Sequence, residues 1–377
     1  MSSLTLFRVR GIPVKAHITL LIAIPYFAFV IAAQLLPMAE LAAVDSNQLR
    51  LPAYVWGLLL AFGLFVSVTL HELGHTLVAL RNGRKVRSIT LMLLGGISQI
   101  DGHNHGDNQS AKDENAKEGW IAAIGPAVSL GIAVVLFMGH EIVTQADARF
   151  GLFYLSQLNM TIAVFNMIPA YPLDGGRVLR AILSHRMGHE RATGAAIALS
   201  KGFALAFAIF GALSFNLILI LVAFFIYSAC LYESRMLQLR HMLAGVRASE
   251  LMHNPLAKIT GATSVDQTIY DLAARRQEIA AVVSGEGRFL GVAELSSLSK
   301  VPAERRQAVP VGMVTDHDVA RIAPNTAAIT VVELLAGHGP VAAVVNDDDR
   351  LEGFIDADDI RRVLRLRELQ EPPRRAA

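Results

Sequence analysis

Apolar residues run in long blocks over the first two thirds of the chain. Six blocks approach the length needed to cross a bilayer, near residues 16–36, 53–80, 118–139, 150–170, 194–211 and 214–232. A hydrocarbon core about 30 Å thick calls for about 20 such residues in a helix. Only the stretch from Gly211 to Phe215 separates the last two blocks, which together are too long for one ordinary crossing. Beyond Arg247 the blocks give way to short apolar runs between polar helical patterns, as in a soluble α/β domain.

Basic residues orient the spans. Arg8, Arg10 and Lys15 precede the first block, and Arg81, Arg84, Lys85 and Arg87 follow the second. Arg177, Arg180, Arg186 and Arg191 lie between the fourth and fifth, and Arg235 and Arg240 follow the sixth. The opposite loops carry only Arg50 and Arg149 as basic residues. The positive-inside rule therefore predicts a multi-pass cell-membrane protein with both termini cytosolic. The first block is longer than a signal-peptide core and lacks a clear cleavage site, so it reads as a retained helix.

Composition agrees. Of 377 residues, 53% are hydrophobic and 18% charged, with a formal net charge of +2, which argues against a nucleic-acid binder. A single cysteine, Cys230, excludes an intrachain disulfide and any metal site built from several thiolates.

Within the second block stand His71, Glu72 and His75, three ionisable residues in an apolar run. Such side chains are costly in hydrocarbon and rarely occur there without a task. Positions i and i+4 share one helix face, so both imidazoles can grip one ion. Zinc suits two neutral imidazoles with one harder ligand and an open position. The ion would lower the pKa of water, and Glu72 could take its proton. His75 lies six residues before Arg81. At about 1.5 Å per residue, His75 is then roughly 9 Å and His71 roughly 15 Å from the cytosolic end of the span.

A third ligand is needed. The fourth block ends in Asn166-Met167-Ile168-Pro169-Ala170-Tyr171-Pro172-Leu173-Asp174-Gly175-Gly176. The prolines break the helix and the glycines allow close backbone approach. Asp174 reads either as a helix-capping carboxylate or as the third ligand, and the two histidines favour the ligand. His71-Glu72-Leu73-Gly74-His75 together with Asn166-x-x-Pro169-x-x-Pro172-Leu173-Asp174-Gly175 resembles the site-2 protease family of intramembrane zinc metalloproteases. The resemblance covers about Gly11 to Tyr232. It implies zinc on His71, His75 and Asp174, with Glu72 as general base. It also implies that Asn166 polarises the scissile carbonyl; otherwise Asn166 is a turn residue ending a helix.

Two further segments are similar to that family. Val86 to Ile100 reads as a β-hairpin around Gly95 and Gly96, either an edge for an unwound substrate or a packing re-entrant loop. Gly125-Pro126-Ala127-Val128-Ser129 resembles the family's Gly-Pro-x-x-Asn element with serine in place of asparagine. That substitution puts the asparagine's hydrogen bond in question, and Gly125 and Pro126 read as a close-packing site and a kink. His103 and His105 fall in a polar loop, solvated or holding an accessory ion. His185 and His189 lie among basic residues and read as surface, and His17 marks the membrane interface.

The tail carries an internal repeat. Ala280-Ala281-Val282-Val283 matches Ala342-Ala343-Val344-Val345, and Gly291 matches Gly353, at an offset of 62 residues. Asp359, after Gly353-Phe354-Ile355-Asp356, looks like the ribose-contacting acid of cystathionine-β-synthase (CBS) modules. The resemblance to a CBS pair implies adenine-nucleotide binding. Glu294 and Asp356 stand where a hydroxyl residue is expected and Ser297 where an acid is; the extra carboxylates would repel a phosphate, which favours a structural or dimerising module.

The expected fold is a polytopic α-helical membrane protein of about six transmembrane helices, with a small β-hairpin or re-entrant element and a soluble α/β tandem CBS-like domain. The expected domains are residues 1–240, residues 241–366 (repeats about 247–304 and 311–366) and a disordered tail, 367–377. The expected function is intramembrane zinc endopeptidase. The family suggests a membrane-tethered regulator such as an anti-sigma factor as substrate, and the CBS-like module suggests a homodimer. The alternative is a CBS-regulated protein that binds or transports a divalent metal.

Overall fold

The computed structural model describes residues 3–84, 86–92, 95–100, 108–253 and 257–370. The chain forms two compact units, Met1–Ser234 and Arg235–Ala377.

The first unit opens with two strands, β1 (Ser3–Val9) and β2 (Ile12–His17). Helix α1 (Leu20–Ala33) then bends by 59° into α2 (Leu35–Leu41). Helix α3 (Ala53–Arg81) is followed by a hairpin, β3 (Val86–Met92) and β4 (Gly95–Ile100). Five helices complete the unit: α4 (Asn108–Ile142), α5 (Ala146–Asn166), α6 (Asp174–Met187), α7 (His189–Leu213) and α8 (Leu217–Met242). Helix α8 continues without a break past Ser234.

The expected hairpin is present, with a correction. Gly95 and Gly96 open β4, paired with Met92 and Leu91, rather than forming the turn. The hairpin belongs to a larger sheet in the order β1-β2-β3-β4, whose central pair is parallel with Val14 opposite Ile89. Ile12, Val14, Ile89 and Leu91 bury one sheet face against Leu20 and Ala23 of α1 and Phe65 of α3. The first apolar block therefore yields its opening residues to β2. Ile12 and Val14 are buried while Pro13 and Lys15 between and after them are less so, a period of two that suits one buried sheet face. His17 ends this strand, with Nδ1 3.0 Å from the Thr19 hydroxyl.

Among the described residues, α3, residues 115–142 of α4, α7 and α8 are long and apolar enough to cross a membrane, and the bent α1–α2 pair makes a fifth candidate. The remaining apolar block is α5. Its 21 residues span about 32 Å, but Ser156, Gln157, Asn159 and Thr161 interrupt its apolar character. Two of these face the bundle. Buried Asn159 donates to the Ser67 hydroxyl of α3 at 2.9 Å, and Ser156 donates to the Ala133 carbonyl of α4 at 2.9 Å. Polar side chains satisfied between helices are a common means of joining them in membranes.

The second unit holds α9 (Ala248–Leu251), β5 (Ala257–Thr260), α10 (Val265–Arg275), β6 (Ile279–Val283), β7 (Phe289–Glu294) and α11 (Leu295–Leu298). Then come β8 (Ala320–Ile322), α12 (Ala328–His338), β9 (Val341–Val345), β10 (Leu351–Asp356) and α13 (Ala357–Gln370). The two halves make three-stranded sheets of like pairing, β5-β6-β7 and β8-β9-β10. Strands β6 and β9 start at Ile279 and Val341, which reproduces the offset of 62. Between the sheets, Ala281, Phe289 and Val292 pack on Ala343, Leu351 and Phe354.

Each repeat also begins inside the other. Leu243, Val246, Ala248 and Leu251 join the core of the second sheet, and Ala248 N–H donates to Thr326 O at 2.8 Å. Val311 joins the core of the first sheet, and its N–H donates to Thr263 O at 2.8 Å. Helix α13 runs to Gln370, into the segment read as tail from residue 367, with Val363 and Leu364 packed on the second core.

Candidate active site

The site is built where α3, α4 and the start of α6 meet. His71 and His75 are both 4% exposed and stack edge-on, with ring centroids 4.9 Å apart. Helix α4 holds both rings by their Nδ1 atoms. His71 Nδ1 lies 2.9 Å from the Ser129 hydroxyl, and His75 Nδ1 lies 2.6 Å from the Ile121 carbonyl oxygen. With Nδ1 engaged, each ring turns Nε2 inward, the arrangement that orients metal-ligating histidines. Ser129 thus takes up a hydrogen bond that its replacement of asparagine had put in question. The Ile121 contribution is a backbone carbonyl, and no side-chain pattern announces it.

Asp174 completes the convergence. Its Oδ2 lies 3.1 Å from His71 Nε2 and 3.2 Å from His75 Nε2. The segment before it is irregular for a sequence reason: Pro169 and Pro172 withhold N–H groups that a helix would need. Tyr171 N–H donates instead to the Ser200 hydroxyl of α7 at 2.8 Å. Asp174 is the first residue of α6, and Leu173 stands at the cap without a side-chain bond. The carboxylate is turned to the histidines rather than capping. Gly175 is required for this path, because a Cβ there would stand 2.4 Å from the Met167 carbonyl oxygen.

The residues fit a metal ion. Bonds of about 2.0 Å at tetrahedral angles put ligand atoms roughly 3.3 Å apart, close to the observed separations from Asp174. Room for the ion is kept by Gly125 of α4. A Cβ at that position would lie 2.2 Å from His75 Nε2 and 2.6 Å from His71 Nε2, so any side chain would fill the space between the rings. Gly125 packs closely as expected, but against the imidazoles. Glu72 is partly buried, and one of its carboxylate oxygens lies within 4.8 Å of a nitrogen of each histidine.

Other candidate residues have partners of their own. Asn166 donates its Nδ2 to the Ile162 carbonyl of its own helix at 3.0 Å. His185 and His189 sit on different helices, divided by Gly188 at φ 79°, and His189 Nδ1 is 2.8 Å from Asn115 Oδ1. His103 and His105 lie outside the described residues. In the second unit, Asp359 is buried and its Oδ2 is already engaged, by His253 Nδ1 at 2.6 Å and by Asp356 N–H at 3.0 Å. Asp356 Oδ1 accepts from the Asp358 and Asp359 amides, so the two acids cap α13 reciprocally.

Comparison with known proteins agrees with both halves. The family model for peptidase family M50 matches residues 59–146 and 140–209, and that for the CBS domain matches residues 311–366. Zinc metalloprotease MJ0392 of Methanocaldococcus jannaschii is 31% identical over 98% of this chain and 98% of its own. Rip3 of Mycobacterium tuberculosis is 28% identical over 98% of this chain and 95% of its own. The solved site-2 protease from Methanocaldococcus jannaschii, 34% identical, covers 62% of this chain and 96% of its own, with a TM-score of 0.42. Full-length identity to MJ0392, joined to the M50 match across His71, His75 and Asp174, establishes the relationship: the chain belongs to peptidase family M50, the site-2 protease family of intramembrane metalloproteases.

Proposed function

We propose that this protein is an intramembrane zinc endopeptidase that hydrolyses a peptide bond in or near the transmembrane segment of a membrane-tethered protein. The observation that carries this reading is the meeting of His71 Nε2, His75 Nε2 and Asp174 Oδ2, 3.1 and 3.2 Å apart, around the space that Gly125 leaves open. In this proposal His71, His75 and Asp174 hold the ion. Zinc, when bound, supplies a Lewis acid that polarises the carbonyl and acidifies water.

Glu72 accepts a proton as water attacks the scissile carbonyl carbon. The new C–O bond forms, the C–N bond breaks, and Glu72 returns the proton to the departing amine. Ser129 and Ile121 keep both rings facing inward through these steps. Asn166 exchanges its bond to Ile162 for one to the substrate carbonyl, where an amide donor stabilises developing negative charge. The substrate lies along β4 as an added strand, since a helix conceals its amides from any protease. The basic loops orient the chain with both termini cytosolic in the cell membrane. A tethered regulator of transcription, such as an anti-sigma factor, has the required anchored form.

The soluble unit, beginning near residue 241 and ending near 366, acts as a structural or dimerising module. Adenine nucleotide at Asp359 would require His253 to leave the 2.6 Å bond it makes there. The test is mass spectrometry of membrane peptides from cells with wild-type or Glu72→Gln enzyme. A peptide ending within an apolar segment only in the wild type identifies the target and the cut. Equal cleavage by Glu72→Gln would refute the general-base role.

A further inference from the structure

Next to Asp174, four charged side chains from three helices form a cluster that the reaction above does not use. Arg180 of α6 is 8% exposed and ion-pairs with Glu118 of α4, which is 5% exposed, and with Glu233 of α8 at 3.4 Å. Arg177 Nε lies 3.6 Å from Glu118, and its guanidinium reaches within 3.9 Å of Asp174 Oδ1. The Arg180 guanidinium also stands over the Tyr171 ring, 5.6 Å from its centroid.

We propose that Arg180 and Glu118 are a positioning pair that fixes the register of α6 against α4, and through it the distance from Asp174 to the two imidazoles. The proposal rests on the reading of His71, His75 and Asp174 as metal ligands.

The geometry divides that triad between two helices. Both rings are fastened to α4 through Ile121 and Ser129, whereas the carboxylate begins α6. Any slide of α6 along α4 is therefore a change in the triad. Two neighbouring contacts control the two motions. Gly119 of α4 faces Ala181 of α6 so closely that an added Cβ would stand 2.7 Å from the alanine Cβ, which limits how near the helices come. A small-residue contact of that kind has little resistance to sliding. The ion pair beside it, Glu118 next to Gly119 and Arg180 next to Ala181, is directional and resists translation.

Stability alone does not account for the pair. A buried ion pair gives no more stability than well-packed apolar side chains, because both charges must be desolvated. What an apolar pair would lack is a fixed axial position. Metal sites need that, since ligand distances hold to about ±0.2 Å. Arg177 extends the same control by linking Glu118 to the far oxygen of Asp174.

The test uses the full chain in detergent, with Arg180→Met, Arg180→Lys and Glu118→Gln. Zinc affinity is read by competition with a chelator, the visible absorption of the cobalt-loaded protein reports ligand geometry, and circular dichroism with gel filtration reports folding. Arg180→Met is expected to keep helical content and monodispersity, to bind zinc 10- to 100-fold more weakly (the usual range for outer-shell partners), and to lose intensity in its tetrahedral cobalt bands. Arg180→Lys should recover part of both. Wild-type zinc affinity and cobalt spectrum in folded Arg180→Met would overturn the proposal. If Arg180→Met does not fold, Glu118→Gln decides by the same two readouts. His71→Ala and Asp174→Asn run alongside. Undiminished zinc binding in those would sink the ligand assignment itself, a different failure from a silent Arg180→Met.

Discussion

Replacing Gly125 with alanine adds one methyl group at the most crowded point of the site. The new Cβ would stand 2.2 Å from His75 Nε2, 2.4 Å from His75 Cε1 and 2.6 Å from His71 Nε2. Relaxed contacts of this kind sit near 3.5 Å, so the overlaps are roughly 1.3 Å and 0.9 Å against the two Nε2 atoms. The rings have little means of escape. Both are bonded to the helix that carries residue 125, through Ile121 at 2.6 Å and Ser129 at 2.9 Å. Moving α4 away breaks those bonds, and holding them drives the rings toward Asp174. Relief of about 1 Å is several times the tolerance of about ±0.2 Å of a metal–ligand bond. We expect zinc affinity to fall at least 100-fold, or about 2.7 kcal/mol at about 1.36 kcal/mol per decade, with loss of proteolysis. Chelator competition on the purified full chain measures the first, and cleavage of a membrane substrate the second. Gly131→Ala is the control, since nothing lies within 4 Å of a Cβ there. Wild-type zinc affinity in Gly125→Ala would refute the reasoning.

Ser129→Ala should leave His71 Nδ1 without its partner and weaken zinc binding by about tenfold, the lower end for such positions; unchanged chelator competition would remove Ser129 from the site. Splitting the tail between its repeats, after residue 306, should leave each half without the segment that completes its core. Residues 241–306 and 307–370 are expected to exchange amide protons freely when separate and to become protected when mixed. Protection in either half alone would contradict the reciprocal packing of Val246 and Val311.

The sequence disclosed the candidate site better than the framework. Two histidines at i, i+4 in an apolar run, and an aspartate after two prolines, are each anomalous in a membrane helix and so are visible without neighbours. The offset of 62 between repeats was equally plain, because β6 and β9 repeat the same unbroken apolar run. The exchange of their leading segments was not, since Val246 and Val311 look alike whichever sheet they cover. Strand β2 was hidden because its last residues, Ala16 and His17, merge into the apolar block after them. Arg177 and Arg180 counted toward topology, yet nothing in a charge count distinguishes a loop arginine from one buried against Glu118. Ile121 acts through its carbonyl, and Gly125 through the side chain it does not have.

The order of the first sheet leaves one side of β4 with no strand beside it among the described residues. A guest chain laid there bonds through every second residue only, because successive peptide groups in a strand point to opposite sides. The other half of its amides needs water or a further acceptor, for bare peptide groups cost several kcal/mol each in lipid. A substrate added there as proposed would keep its outer flank wet, and the ease with which its span uncoils would bear on cleavage. Glycine, asparagine or proline in the victim's span would act at a distance from the cut, by loosening the coil before the blade arrives.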